Sequence, residues 1–160
     1  GEPSMAIQID QAAPDFELPS NQLVDGRPGK KIKLSDYRGK PVVLAFYPLD
    51  FSPTCTTENV CFRDDLSKFN ELGAEVLGIS VDSAWTHKAF AESNKLSFPL
   101  LADFHPKGAV AKSYDLYNEA VGISKRATVL VDKNGKVAFV AEHDKARSNE
   151  DLLAAIRKLG

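Results

Sequence analysis

Pro41-Val42-Val43-Leu44-Ala45-Phe46-Tyr47-Pro48-Leu49-Asp50-Phe51-Ser52-Pro53-Thr54-Cys55 decides the fold. Its first half is a nearly continuous apolar run rich in β-branched residues, which predicts a central strand buried on both faces. Beyond it, Phe62, Leu66 and Phe69 stand at i, i+4 and i+7. That spacing predicts one apolar face of a helix from about Thr54 to Leu72, closed by Gly73. A buried strand that feeds a helix through a short proline-bearing loop is the unit of an α/β fold, and the end of a parallel strand is where such folds place their chemistry.

The same alternation continues along the chain. Glu75–Val81 and Ala127–Val131 repeat the apolar pattern, and the second is followed by Asp132-Lys133-Asn134-Gly135 and a partner strand from Lys136 to Glu142. Asn-Gly between two apolar runs is a strong hairpin signal. Ser83 is placed to cap a helix carrying Trp85 and Phe90, Pro106 suits the first turn of another, and Ser148 with Asp151 predicts the start of a last helix over Leu152–Leu159. Before residue 40, Pro14–Pro19 and Ile32–Leu34 read as short edge strands.

The chain of 160 residues predicts one domain over 7–160, with residues 1–6 as a tail whose Gly1-Glu2-Pro3-Ser4 resembles an expression-tag remnant. Lysine and arginine are scattered among acids at a net charge of -2, which predicts no nucleic-acid partner. No run approaches the roughly 20 apolar residues of a membrane span, and no basic-then-apolar leader is present, so the expected compartment is the cytoplasm. Cys55 and Cys61 are too few for a disulfide scaffold and lack the spacing of a zinc site. His87, His105 and His143 show no ligand spacing and are expected on the surface, with no metal and no cofactor.

Cys55 falls in the first turn of the predicted helix, where unpaired backbone N–H groups and the positive end of the helix dipole favour a thiolate. At 100° per residue it lies about 20° around the axis from Phe62, so it is expected to face the protein body while staying reachable from the loop. Ser52 offers a hydroxyl three residues earlier, and Pro48 and Pro53 stiffen the loop. Taken singly, each has a plainer account: a small buried hydrophobe for Cys55, a turn residue for Ser52, a helix cap for Thr54.

Together, Pro48-x-x-x-Ser52-x-x-Cys55 resembles the PxxxT/SxxC signature of the peroxiredoxins. Ala13-Pro14-Asp15-Phe16, Leu34-Ser35-Asp36-Tyr37 with Gly39-Lys40, and Arg126 before Ala127–Asp132 are similar to further parts of that family, so the likeness runs from about Ile7 to the end. It implies a thioredoxin fold with the peroxiredoxin N-terminal extension, its central mixed sheet flanked by helices. It also implies a thiol peroxidase acting on hydrogen peroxide and organic hydroperoxides. Cys55 is then the peroxidatic nucleophile, Arg126, Ser52 and Pro48 complete the catalytic set, and Glu58, about 60° round the helix from Cys55, orients Arg126.

Recycling of the oxidised sulfur is left open between two readings. Cys61 follows Cys55 by six residues, where bacterioferritin-comigratory (Q-type) relatives use five. In an intact helix six residues mean about 9 Å of rise and about 120° of rotation, beyond the roughly 7 Å Cα limit for a disulfide. A resolving Cys61 therefore requires the first turns to unwind. Phe98–Phe104, Pro106, Gly108-Ala109-Val110 and Tyr114 resemble instead the E-type alkyl hydroperoxide reductases, which work with one cysteine and an external thiol. The implied reductant is a thioredoxin-like protein or a low-molecular-weight thiol, and the implied state a monomer or homodimer. Two rivals remain: a thioredoxin-like disulfide oxidoreductase, which normally carries a CxxC pair absent here, and a non-catalytic interaction domain on the same scaffold.

Overall fold

The computed structural model describes residues 7–144 and 148–159; the expected tail over 1–6 lies outside them. The chain opens with two short antiparallel ribbons. β1 (Glu17–Pro19) pairs with β4 (Lys31–Lys33), and β2 (Leu23–Val24) with β3 (Arg27–Pro28). A 3-10 turn at Leu34–Tyr37 then leads to β5 (Val42–Phe46). There follow α1 (Pro53–Glu71), β6 (Glu75–Ser80), α2 (Ala84–Asn94), β7 (Leu100–Ala102) and α3 (Ala109–Ser113). The chain closes with the ribbon β8 (Tyr117–Asn118) and β9 (Ile123–Ser124), then β10 (Ala127–Val131), β11 (Val137–Glu142) and α4 (Glu150–Lys158).

Five strands form the central sheet in the order β11-β10-β5-β6-β7. β5 runs parallel to β6, and β6 to β7, while β10 is antiparallel to both β5 and β11. The sheet is thus mixed. Every residue of β5 is buried, as the apolar run predicts. Its side chains alternate between two cores: Val42, Leu44 and Phe46 meet Phe16, Leu18, Ile32 and Tyr114 on one face, and Val43 and Ala45 meet Phe62, Phe69, Phe90 and Leu152 on the other. Period-two alternation places them so. The second face carries α1, α2 and α4; the first is closed by α3 and the N-terminal strands.

Several element ends differ from expectation for identifiable reasons. α3 begins at Ala109, after Pro106, because the Asp103 carboxylate accepts hydrogen bonds from the backbone N–H groups of Val110 and Ala111 at 3.0 and 2.9 Å. α4 starts at Glu150, two residues before the predicted Leu152, with Asn149 at its cap and Ser148 Oγ accepting from the Glu150 N–H at 3.3 Å. β7 is too short to stand out in the sequence. Ser83 caps α2 as read, accepting from Thr86 N at 3.1 Å.

Candidate active site

Three strand ends converge on one edge of the sheet, and this convergence builds the site. β5 and β10 pair antiparallel with Phe46 opposite Ala127, so Arg126, just before β10, lies beside the loop that leaves β5. β11 pairs Glu142 with Ala127, and the next residue, His143, donates its backbone N–H to the Arg126 carbonyl at 3.1 Å. Residues far apart in sequence are therefore neighbours at the start of α1.

Cys55 is the third residue of α1 and is fully buried, at 0% exposure. The expected open path from the loop side is thus closed in this state. Pro53, which has no N–H, opens the helix, and the first ladder bond runs from Thr56 N to Ser52 O at 2.9 Å. The N–H groups of Thr54 and Cys55 consequently have no acceptor within the helix. Ser52 occupies the cap position without capping by its side chain; its hydroxyl donates to the Leu49 carbonyl at 3.0 Å. Pro48 is half-buried in the same loop.

Arg126 Nη2 donates to Cys55 Sγ at 3.2 Å, and Nη1 reaches Glu58 Oε1 at 3.5 Å. Glu58 Oε2 accepts from His143 Nε2 at 3.1 Å. A positive guanidinium on the sulfur, added to a helix N-terminus, stabilises negative charge there through two independent sources. Cys55, Arg126, Ser52, Pro48 and Glu58 are all brought to this edge. Cys61 is not: it lies further along the continuous helix, half-buried, and both sulfurs are free thiols. Burial, then the carboxylates of Asp65, Asp64 and Glu58, push the Cys61 thiol above the ordinary cysteine range.

The expectation of three surface histidines holds only for His105. His143 exposes 10% of its side chain and His87 none. His87 belongs to a second buried network, on the loop side of Cys55: Nδ1 pairs with Asp50 Oδ2 at 2.7 Å, and Nε2 donates to the Leu101 carbonyl at 2.9 Å. Asp50 Oδ1 also accepts from the Tyr47 hydroxyl at 2.6 Å, and the Asp50 N–H donates to Asp82 at 2.9 Å. Burial, then Asp50, raise the Tyr47 hydroxyl well above the ordinary tyrosine range, which keeps it a donor. These contacts hold the loop through Phe51, whose φ of 68° is a strained conformation for a bulky residue. Asp50, Asp82 and His87 place ligand-type atoms within 4.8 Å of one another, but His87 and Asp50 are already engaged with protein partners, so the cluster reads as a loop fastener.

A mixed-sheet α/β protein that sets a buried helix-start cysteine against an arginine has the layout of an enzyme that works through a cysteine thiolate. Comparison with known proteins narrows that class. Residues 9–140 match the AhpC/TSA family. Peroxiredoxin Bcp of Bacillus subtilis is 40% identical, the alignment covering 97% of this chain and 96% of that protein. The mitochondrial thioredoxin-dependent peroxide reductase of Drosophila melanogaster is 37% identical over 97% of this chain and 68% of its own. The crystal structure of peroxidoxin BcpB from Mycobacterium tuberculosis superposes with a TM-score of 0.85 at 31% identity, covering 96% and 99% of the two chains. The chain belongs to the AhpC/TSA family: it is a peroxiredoxin, a thiol peroxidase with the thioredoxin fold.

Proposed function

We propose that Cys55 is the nucleophile that reduces hydrogen peroxide and organic hydroperoxides, with Arg126 as its principal electrostatic partner. The observation that carries this is the 3.2 Å contact between the guanidinium and Sγ at the start of α1. The thiolate attacks one peroxide oxygen in line with the O–O bond, an S–O bond forms as the O–O bond breaks, and the sulfur becomes a sulfenic acid. The leaving alkoxide or hydroxide takes a proton from water and departs as alcohol or water. Arg126 and the free N–H of Cys55 hold the peroxide oxygens as charge spreads over the lengthening bond. Ser52 Oγ, its hydrogen engaged with Leu49, presents lone pairs that accept the peroxide O–H. Because the sulfur is buried, substrate entry requires the lining of the first turn to move.

A thiol reductant returns Cys55 to the thiol. The name of the Drosophila relative supports a thioredoxin-type dithiol as that partner. The enzyme then serves peroxide defence, and we place it in the cytoplasm; among the described residues no helix is long and apolar enough to cross a membrane. Resolution by Cys61 releases water as a Cys55–Cys61 disulfide forms, and it needs the first two turns of α1 to unwind. The continuous helix and the raised Cys61 thiol favour slow unwinding-limited closure or attack by an external thiol. Non-reducing mass spectrometry of peroxide-treated protein distinguishes these. An intramolecular bridge supports resolving Cys61, and a sulfenic acid or mixed disulfide on Cys55 with free Cys61 supports the external route.

The peroxidase reading is tested by coupled peroxide consumption with thioredoxin and its reductase. Cys55→Ser abolishes turnover while far-ultraviolet circular dichroism stays native. Undiminished consumption by folded Cys55→Ser removes the assignment.

A further inference from the structure

Glu58 joins α1 to the sheet, and its two oxygens do different things. Oε1 meets Arg126 Nη1 at 3.5 Å and Oε2 meets His143 Nε2 at 3.1 Å. All three side chains are nearly shut off from solvent, at 9%, 6% and 10% exposure for Arg126, Glu58 and His143. The arginine contact is long for a charge-assisted hydrogen bond, whose N···O distance is normally about 2.7–2.9 Å. A carboxylate held only by such a contact turns easily, because the terminal torsion of glutamate is broad. The second donor, on Oε2, removes that freedom.

We propose that His143 is a positioning residue for the peroxidase reaction: its Nε2–H fixes the Glu58 carboxylate, and through it the guanidinium that touches Cys55. The inference rests on the reading of Arg126 as the group that holds the peroxide oxygens. Its geometry has two parts. His143 and Arg126 are tied to each other through the His143 N–H and the Arg126 carbonyl, so imidazole and guanidinium are set by the same pair of strands. Both then grip one carboxylate, which stands one helical turn beyond Cys55. The sheet therefore holds the start of α1 at two points, and the angle of Arg126 to the sulfur follows from that clamp. The other ring nitrogen, Nδ1, is buried and finds no hydrogen-bond partner among the described residues. Among the described residues Glu58 is thus the side-chain contact that orients the ring. A residue that acts only by filling space needs no donor, and this difference makes the role testable.

The test is the second-order rate of Cys55 oxidation by hydrogen peroxide, followed by stopped-flow fluorescence in His143→Met and His143→Gln. Both side chains fill similar space, and only glutamine keeps an N–H donor. In metal sites, losing the group that orients a ligand costs about 10- to 100-fold; taking the lower end of that scale for an orienting contact here, His143→Met is expected to slow oxidation by about tenfold, and His143→Gln to recover most of it. His143→Phe replaces the methionine variant if that does not fold, with the same expected loss. In a Glu58→Ala background, His143→Met is expected to produce no further loss, because the two act as one unit. An unchanged rate in His143→Met, a glutamine variant as slow as the methionine one, or a loss undiminished without Glu58 each overturns the proposal. Arg126→Met, measured alongside, separates the two levels: a slow Arg126→Met beside a normal His143→Met sinks the positioning role alone, whereas a normal Arg126→Met sinks the reading beneath it.

Discussion

Cys55 lies in the first turn of α1, fully buried, with a guanidinium on its sulfur and free backbone N–H groups around it, whereas Cys61, six residues on, is half-buried and faces the carboxylates of Asp64, Asp65 and Glu58. One helix therefore holds two identical side chains in opposite electrostatic settings. Burial by itself disfavours a thiolate at either position. What separates them is the sign of the charge brought close and their place in α1, first turn against middle, so under the proposed function the strands that deliver Arg126 select Cys55.

The largest effect is expected from removing the charge that separates the two sulfurs. A missing electrostatic donor in a preorganised site typically costs about 100- to 1,000-fold, and Arg126→Met is expected to slow peroxide oxidation of Cys55 by that order in stopped-flow assays. Alkylation of Cys61 stays unchanged in the same variant. A second contrast concerns what holds each sulfur in place. The loop before Cys55 is fastened by Asp50 and His87, whose side chains are both wholly buried, while Cys61 sits mid-helix with no such anchor. Removing one partner of a buried pair costs roughly 3–5 kcal/mol, so His87→Ala is expected to lose about that much stability in urea denaturation. A shift below 1 kcal/mol, roughly the worth of a surface pair, contradicts the fastening role.

Smaller effects belong to Cys61. Its raised pKa means that the thiolate is scarce at neutral pH and accumulates only as pH climbs past the ordinary cysteine value of about 8.5. Iodoacetamide labelling of Cys61 in Cys55→Ser is therefore expected to be slower at pH 7 than for an unperturbed cysteine and to accelerate steadily into the alkaline range. Asp65→Asn, which removes the strongest of the acidic neighbours, moves that rise to lower pH. If Cys61 serves only after oxidation, Cys61→Ser leaves the first oxidation of Cys55 within about twofold of the unmodified rate, a change far below the 1.4 kcal/mol of a factor of ten. A larger change indicates that Cys61 already influences the reduced site.

The strand–helix junction was legible because each half carries its own period: a continuous apolar run for a strand buried on both faces, and an i, i+4, i+7 face for α1. Cys55, Ser52 and Pro48 lie inside that junction, so their neighbourhood follows from the local chain. Arg126 was found through family resemblance, since its place beside Cys55 depends on the antiparallel pairing of β5 and β10 across a long sequence gap. His143 was missed for the same reason. Its contact with Glu58 spans 85 residues and exists only because β11 ends where β10 begins. His87 and Asp50 were hidden too, since a histidine followed by Lys88 on a helix of weak amphipathicity gives no sign of facing inward. The complete burial of Cys55 was equally beyond a helical wheel, which gives direction around the axis but not what covers it.

The most direct test traps the oxidised sulfur itself. Cys61→Ser protein is treated with one equivalent of hydrogen peroxide in the presence of dimedone and analysed by peptide mass spectrometry. The expected result is a single adduct on Cys55, much reduced when Arg126→Met is added. Protein that consumes peroxide without an adduct on Cys55, or that forms it equally fast without the arginine, contradicts the account.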